Sequence, residues 1–166
     1  MQTDLLRLAL DWIDTAEGVD ADDPSDRGGR TRYGISSRAH PDVDVASLTR
    51  QQAHAIYAQD YWSPARCGEM PPALAIALFD GAVQHGVRRG VLLLQRALRQ
   101  TPDGIVGPLT LDAAWQGDEA GHLSMYLAHR ARYYARIVAG DASQSVYLLG
   151  WYARLMRLQQ YITRIA

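Results

Sequence analysis

Glu17, Asp26 and Thr31 are the residues whose types and spacing are best suited to chemistry, and they share one stretch, EGVDADDPSDRGGRTRYGI, from Glu17 to Ile35. Glu17 falls where an amphipathic helical pattern stops. Gly18 suits the position after a helix, and a turn-rich segment with Asp20, Asp22, Asp23, Pro24, Asp26, Gly28 and Gly29 follows. A carboxyl at the C-terminal end of a helix faces the negative pole of the macrodipole, which disfavours its ionised form, and burial against aromatic rings acts in the same direction. That suits a general acid. Asp26, nine residues on, and Thr31, five beyond it, can return across the loop to face Glu17. Two carboxyl groups flanking a cleft are the minimal equipment for glycoside hydrolysis. Two blander readings compete. An Asp- and Gly-rich loop is often a solvated turn, and an Asp run can bind calcium. A calcium loop is disfavoured, because Pro24 occupies a ligand position, Ser25 stands where glycine is required, and Thr31 stands where a bidentate Glu should close the loop.

The flanking elements must hold this loop in place. Leu5, Leu6, Leu8, Ala9, Trp12 and Ile13 recur at helical spacing, which predicts a helix from about Asp4 to Ala16 with Thr3 or Asp4 as its N-cap. Residues 28–36 are too short and Gly-rich for more than a small hairpin. The stretch SLTRQQAHAIYAQDYW, Ser47 to Trp62, predicts a helix capped by Thr49, with Ala53, Ile56, Tyr57 and Tyr61 on one stripe. From Pro72 to His85 the chain is apolar nearly all round, the mark of a helix at the centre of a core, so Asp80 within it is unusual. Its plainest role there is a buried hydrogen-bond acceptor. Further helices are predicted over Gly90–Arg99, after Pro108, over Glu119–Val138 and from Ser143 onward, with Trp151 as a core anchor and the arginines on a solvated face or paired with the acidic half.

The loop resembles the signature of the N-acetylmuramidases of glycoside hydrolase family 108, phage and prophage endolysins and secretion-associated lysozymes that read roughly EGGYVNDPxDPGGxTxYGI. Glu17, Gly18, Asp23, Pro24, Asp26, Gly28, Gly29, Thr31, Tyr33, Gly34 and Ile35 match; Val19, Asp20, Asp22 and Arg27 depart. The resemblance continues through the IYAQDYW helix, FDGAVQHG from Phe79, the DGIVGPLT turn of peptidoglycan-binding modules from Asp103, and GWYAR from Gly150. It implies that Glu17 is the catalytic acid. A similar Glu, Asp, Thr order in phage-type lysozymes supports Asp26 and Thr31 by analogy. Tyr33, Tyr61, Trp62, Asp80 and Gln84 are the candidate substrate contacts, and bacterial peptidoglycan is the implied substrate and partner. The implied fold is an all-α, lysozyme-like one with at most a small β element. Residues 1–80 would form the catalytic half and 81–166 a peptidoglycan-binding-like half packed on it without a linker.

Composition narrows the alternatives. At 166 residues and 48% hydrophobic content the chain suits one compact unit, expected to be a monomer. A single cysteine, Cys67, excludes an internal disulfide and lacks a nucleophile motif around it. Residues 1–80 hold 7 Arg against 13 acidic residues and residues 81–166 hold 10 Arg against 5, so the chain is electrically polarised, and every basic residue is Arg. With no basic run and no nucleic-acid motif, a nucleic-acid partner is disfavoured. His122 and His129 share a helix face without a third ligand at suitable spacing, so no metal and no cofactor are expected. The N-terminus is punctuated by Asp4, Arg7, Asp11 and Asp14, unlike a signal peptide, and no stretch is long and apolar enough to insert in a membrane. These features predict synthesis in the bacterial cytoplasm and action on the wall after release by a holin, a secretion system or lysis. The rival from another class is a non-catalytic wall-binding or secretion-accessory protein on the same fold.

Overall fold

A computed structural model describes residues 2–17, 20–21 and 31–165, with side chains for 4–16 and 31–165. The architecture is all-α with one small sheet, as expected. Helix α1 spans Gln2–Glu17; three two-residue strands follow, β1 Asp20–Ala21, β2 Thr31–Arg32 and β3 Ile35–Ser36. Then come α2 Arg50–Tyr57, α3 Pro72–His85, α4 Val87–Ala97, α5 Pro108–Trp115, α6 Glu119–Gly140 and α7 Leu148–Ile165.

Helix α3 is the axis. Every residue from Leu74 to Ala82 is buried, and α1, α4, α6 and α7 all pack on it. A helix apolar on all faces must be surrounded, and this one is. The hydrophobic cluster around it draws residues from both halves of the chain, from Trp12 and Tyr57 to Tyr126 and Leu158. Small residues permit the closest approach: a Cβ on Gly90 of α4 would lie 3.1 Å from the backbone nitrogen of Ala82. Gly86, at φ 80°, lets the chain turn between α3 and α4.

Several element ends differ from the sequence pattern, each for a local reason. Helix α1 already includes Gln2, so Thr3 and Asp4 lie inside its first turn rather than capping it. Thr49 caps α2 as expected, in a reciprocal capping box with Gln52. Beyond Tyr57, however, residues Ala58–Trp62 wind as a π turn, which rotates Tyr61 and Trp62 away from a continuous α-helical stripe. Helix α4 starts at Val87 because Gly86 restarts the chain, and a 3₁₀ turn over Ala142–Tyr147, capped by Asp141, delays α7 to Leu148.

Candidate functional site

Helix α1 ends on Glu17 and carries no basic residue in its last turn, so the negative pole of its macrodipole is not offset by a cation from the helix itself. Three side-chain contacts grip the helix along its length. The Tyr161 hydroxyl donates to the Leu8 carbonyl at 2.7 Å. Trp12 Nε1 donates to Asp80 Oδ1 at 2.7 Å. His54 Nε2 of α2 sits 3.0 and 3.1 Å from the two oxygens of Asp14, with Arg50 Nε 3.6 Å from the same carboxylate.

The small sheet brings Thr31 back to the chain leaving α1. Strand β1 begins three residues after Glu17 and pairs antiparallel with β2, Ala21 opposite Thr31; β2 pairs in turn with β3, Thr31 opposite Ser36. Thr31 is therefore in the central strand. The turn between β2 and β3 is the two residues Tyr33 and Gly34, at φ 51° and 74°. Two successive left-handed residues are what a two-residue hairpin of the primed type requires, and glycine supplies the second at no steric cost. The hairpin is fastened at two points. Tyr57 of α2 donates its hydroxyl to the Tyr33 carbonyl at 3.1 Å, and Arg32 Nη1 donates to the Ala46 carbonyl at 2.7 Å. The Arg32 guanidinium also lies 5.4 Å from the centre of the Tyr33 ring. Half-buried Tyr61 stands 5.9 Å from Tyr57, ring to ring. The structure thus gathers the end of α1, Thr31, Tyr33 and Tyr61 around the sheet and α2. Asp26, and the side chain of Glu17, lie outside the described residues.

Two candidate substrate contacts prove to be interior. Trp62 is 7% exposed and packs edge-on against Phe79 at 5.3 Å, so its ring is a core filler rather than a platform for a sugar. Asp80 is fully buried. Besides Trp12 it accepts from Arg130 Nη2 at 2.6 Å and from Arg154 Nε and Nη2 at 2.9 and 2.7 Å. A substrate could reach this carboxylate only by displacing those partners, so Asp80 is the buried acceptor that its place in an apolar helix suggests and not a substrate contact. Burial alone would raise its pKa, but the Arg130 and Arg154 charges and their hydrogen bonds overcome that and hold it at about 2. Gln84, one helical turn on, accepts from Arg130 Nη2 and from the Tyr134 hydroxyl, both at 2.7 Å. Half-buried, it closes the outer side of the same network.

Of the two places the sequence allows the arginines, a solvated face or a pairing with the acidic half, Arg130 and Arg154 take the second: they are 0% and 6% exposed and both pair with Asp80. The signal was present: Arg130 falls on the stripe of Leu123, Leu127 and Tyr134, and Arg154 on that of Leu155, Leu158 and Ile162, all buried. An arginine interrupting an apolar stripe at helical spacing implies a buried acid opposite, and Asp80 is the acid interrupting α3.

In the C-terminal half, the DGIVGPLT turn is built around Gln95. Its amide donates to Asp103 Oδ1 at 2.7 Å, the Ile105 carbonyl at 3.0 Å and Thr110 Oγ1 at 3.2 Å, and accepts from the Gly104 nitrogen at 2.9 Å. The motif is architectural here. Arg66 Nη1 reaches the Val106 carbonyl at 2.8 Å and Glu119 accepts from the Ala73 nitrogen at 2.7 Å, which fastens this half to the other. Cys67 is fully buried, and that burial raises its thiol pKa, the opposite of an activated nucleophile. Among the described residues no three His, Cys, Asp or Glu side chains converge as a metal site would require, and no helix is long and apolar enough to cross a membrane.

Two family models match the chain, one after the other. Residues 10–86 match the model of the Glycosyl hydrolase 108 family and residues 89–156 that of a Predicted Peptidoglycan domain. Among solved structures the chain is similar to that of Brucella abortus SagA, with 25% sequence identity and a TM-score of 0.83 over 98% of this chain and 95% of that one. No curated protein matches the chain. A glycosyl hydrolase region joined to a peptidoglycan domain supports peptidoglycan hydrolysis as the class of reaction.

Proposed function

We propose that this chain, a member of the glycosyl hydrolase 108 family with a peptidoglycan domain as its C-terminal half, is an N-acetylmuramidase that cuts the β-1,4 bond between N-acetylmuramic acid and N-acetylglucosamine. One observation carries the reading: the matched hydrolase region contains a helix that ends on Glu17, without a basic residue in its last turn, beside the strand that bears Thr31. A carboxyl group so placed is held toward its neutral form and serves as the acid that protonates the leaving oxygen. Asp26 supplies the ionised carboxylate. In an inverting enzyme it directs a water, oriented with the Thr31 hydroxyl, onto the opposite face of the sugar; in a retaining one it attacks directly. A hydroxyl at Thr31 favours inversion, for which the two carboxyl groups stand roughly 6.5–9.5 Å apart instead of about 5–5.5 Å. Tyr33 and Tyr61 wall the sugar site. The catalytic work belongs to residues 1–80, and residues 81–166 hold the wall polymer against them. The protein acts as a monomer on wall material it reaches through a holin, a secretion system or lysis.

Digestion of purified sacculi tests this reading. New reducing ends on N-acetylmuramic acid are expected. Release of amines would instead indicate a peptidase or amidase, and binding without any release would identify a wall-binding accessory protein.

A further inference from the structure

The Asp80 network is built in a way that stability alone does not explain. Around the fully buried carboxylate, Arg130 is 0% exposed, yet among the described residues its Nε and Nη1 have no hydrogen-bond partner, and neither has the buried hydroxyl of Tyr126, which like the Arg130 side chain lies against Gly81. Buried donors without acceptors carry a desolvation penalty, and a buried ion cluster is commonly no more stable than well-packed apolar residues of the same volume. What such a cluster does supply is fixed geometry, since each hydrogen bond to the carboxylate sets both a distance and a direction. The elements it fixes are specific. Trp12 belongs to the last two turns of α1, Asp80 to the central helix, and Arg130 and Arg154 to the two long helices of the peptidoglycan half. From Trp12 to Glu17 is five residues, roughly 7.5 Å along a helix axis.

We propose that Asp80, acting through Trp12, Arg130 and Arg154, is a positioning residue for the reaction: it sets the end of α1, and hence Glu17, relative to the helices of the peptidoglycan half. The inference rests on the reading of Glu17 as the acid. A one-turn anchor from a rigid hub to the helix bearing the acid matters because misplacement of a reacting group by about 1 Å costs on the order of a hundred-fold in rate. Asp80 itself touches no substrate. It acts by denying α1 any freedom to slide along α3.

The test uses Trp12→Phe, which removes the indole N–H together with part of the buried ring volume and keeps an aromatic ring facing Tyr161, now 5.4 Å away. Val106→Ala, a buried residue outside the network, serves as a control of comparable destabilisation. On solubilised glycan strands, Trp12→Phe is expected to lower kcat on the order of ten- to a hundred-fold, with KM and sacculus binding unchanged. The alkaline limb of its pH–rate profile should move to lower pH, because an acid no longer held in place is better solvated and ionises sooner. Val106→Ala should change neither. If Trp12→Phe and Val106→Ala lose the same thermal stability and both retain the wild-type kcat and pH profile, Asp80 is a structural residue only and the proposal is overturned. Glu17→Gln, measured beside them, separates the two readings: should it stay active, the acid has been misassigned, whereas a dead Glu17→Gln with a wild-type Trp12→Phe overturns the positioning role alone. Asp80→Asn is a second probe where it folds, and is expected to show the same kcat loss and limb shift.

Discussion

Two carboxyl-bearing positions in this chain are set up in opposite ways. Asp80 lies in the middle of a helix, fully buried, with an indole and two guanidiniums donating to it, and is held ionised down to about pH 2. Glu17 ends a helix whose last turn carries no cation. The same functional group is a lasting anion at the first, and at the second its proposed role is to hold a proton. On the proposed reading, the catalytic acid is denied what makes a structural carboxylate secure, and depends on such a carboxylate nearby to keep its helix still.

The strongest way to break the comparison is at the hub. Asp80→Asn leaves two buried guanidiniums without their carboxylate and should cost about 3–5 kcal/mol of unfolding free energy, read by urea or thermal denaturation. Replacing Asp80, Arg130 and Arg154 together by leucine or methionine should recover most of that loss without recovering turnover. A triple variant as unstable as the single one would mean that the hub is a net source of stability rather than of geometry.

Acid should expose the next difference. Burial against Tyr133 and Tyr134, reinforced by the Arg130 charge, lowers His85 to about 3. Its contribution to stability is therefore full above its unfolded pKa near 6.5 and is lost as pH falls from there toward 3. Asp80, lowered from 3.8 to about 2, contributes above about pH 4 and fails only as pH falls through 2. Melting temperature should decline in two stages on acidification. His85→Gln should flatten the first, worth roughly 2–4 kcal/mol, and leave the second.

Smaller effects belong to the hairpin and the hub lining. Gly34→Ala places a Cβ at φ 74° and should cost about 1 kcal/mol or more. Tyr33→Asn suits its left-handed position and keeps the carbonyl that Tyr57 binds. It should leave stability within about 0.5 kcal/mol while raising KM on glycan strands, as expected of a ring that walls the sugar site. Tyr126→Phe removes a buried hydroxyl that has no partner among the described residues and should be neutral or stabilising by up to about 1 kcal/mol in a melting experiment.

Much of this fold is legible in the pattern of residues because the pattern is local. The apolar run of α3, the Thr49 cap with Gln52 three residues on, and the Gly and Pro residues around α5 each act within a turn of themselves. The hub is not local. Asp80, Arg130 and Arg154 are separated by 50 and 74 residues from acid to base, and only their shared oddity, a charge on an otherwise buried stripe, links them. Trp62 illustrates the same limit. As an aromatic residue beside a loop it is equally suited to a sugar or to a core, and the π turn that ends α2 sends it against Phe79.

The most direct test of the account is the turnover of Glu17→Gln on purified sacculi, with binding measured on the same material. Gln keeps the shape of the side chain but has no proton to donate. The account predicts that reducing ends on N-acetylmuramic acid cease to appear while sedimentation with sacculi is unchanged. Near-normal release of those ends by Glu17→Gln would contradict it.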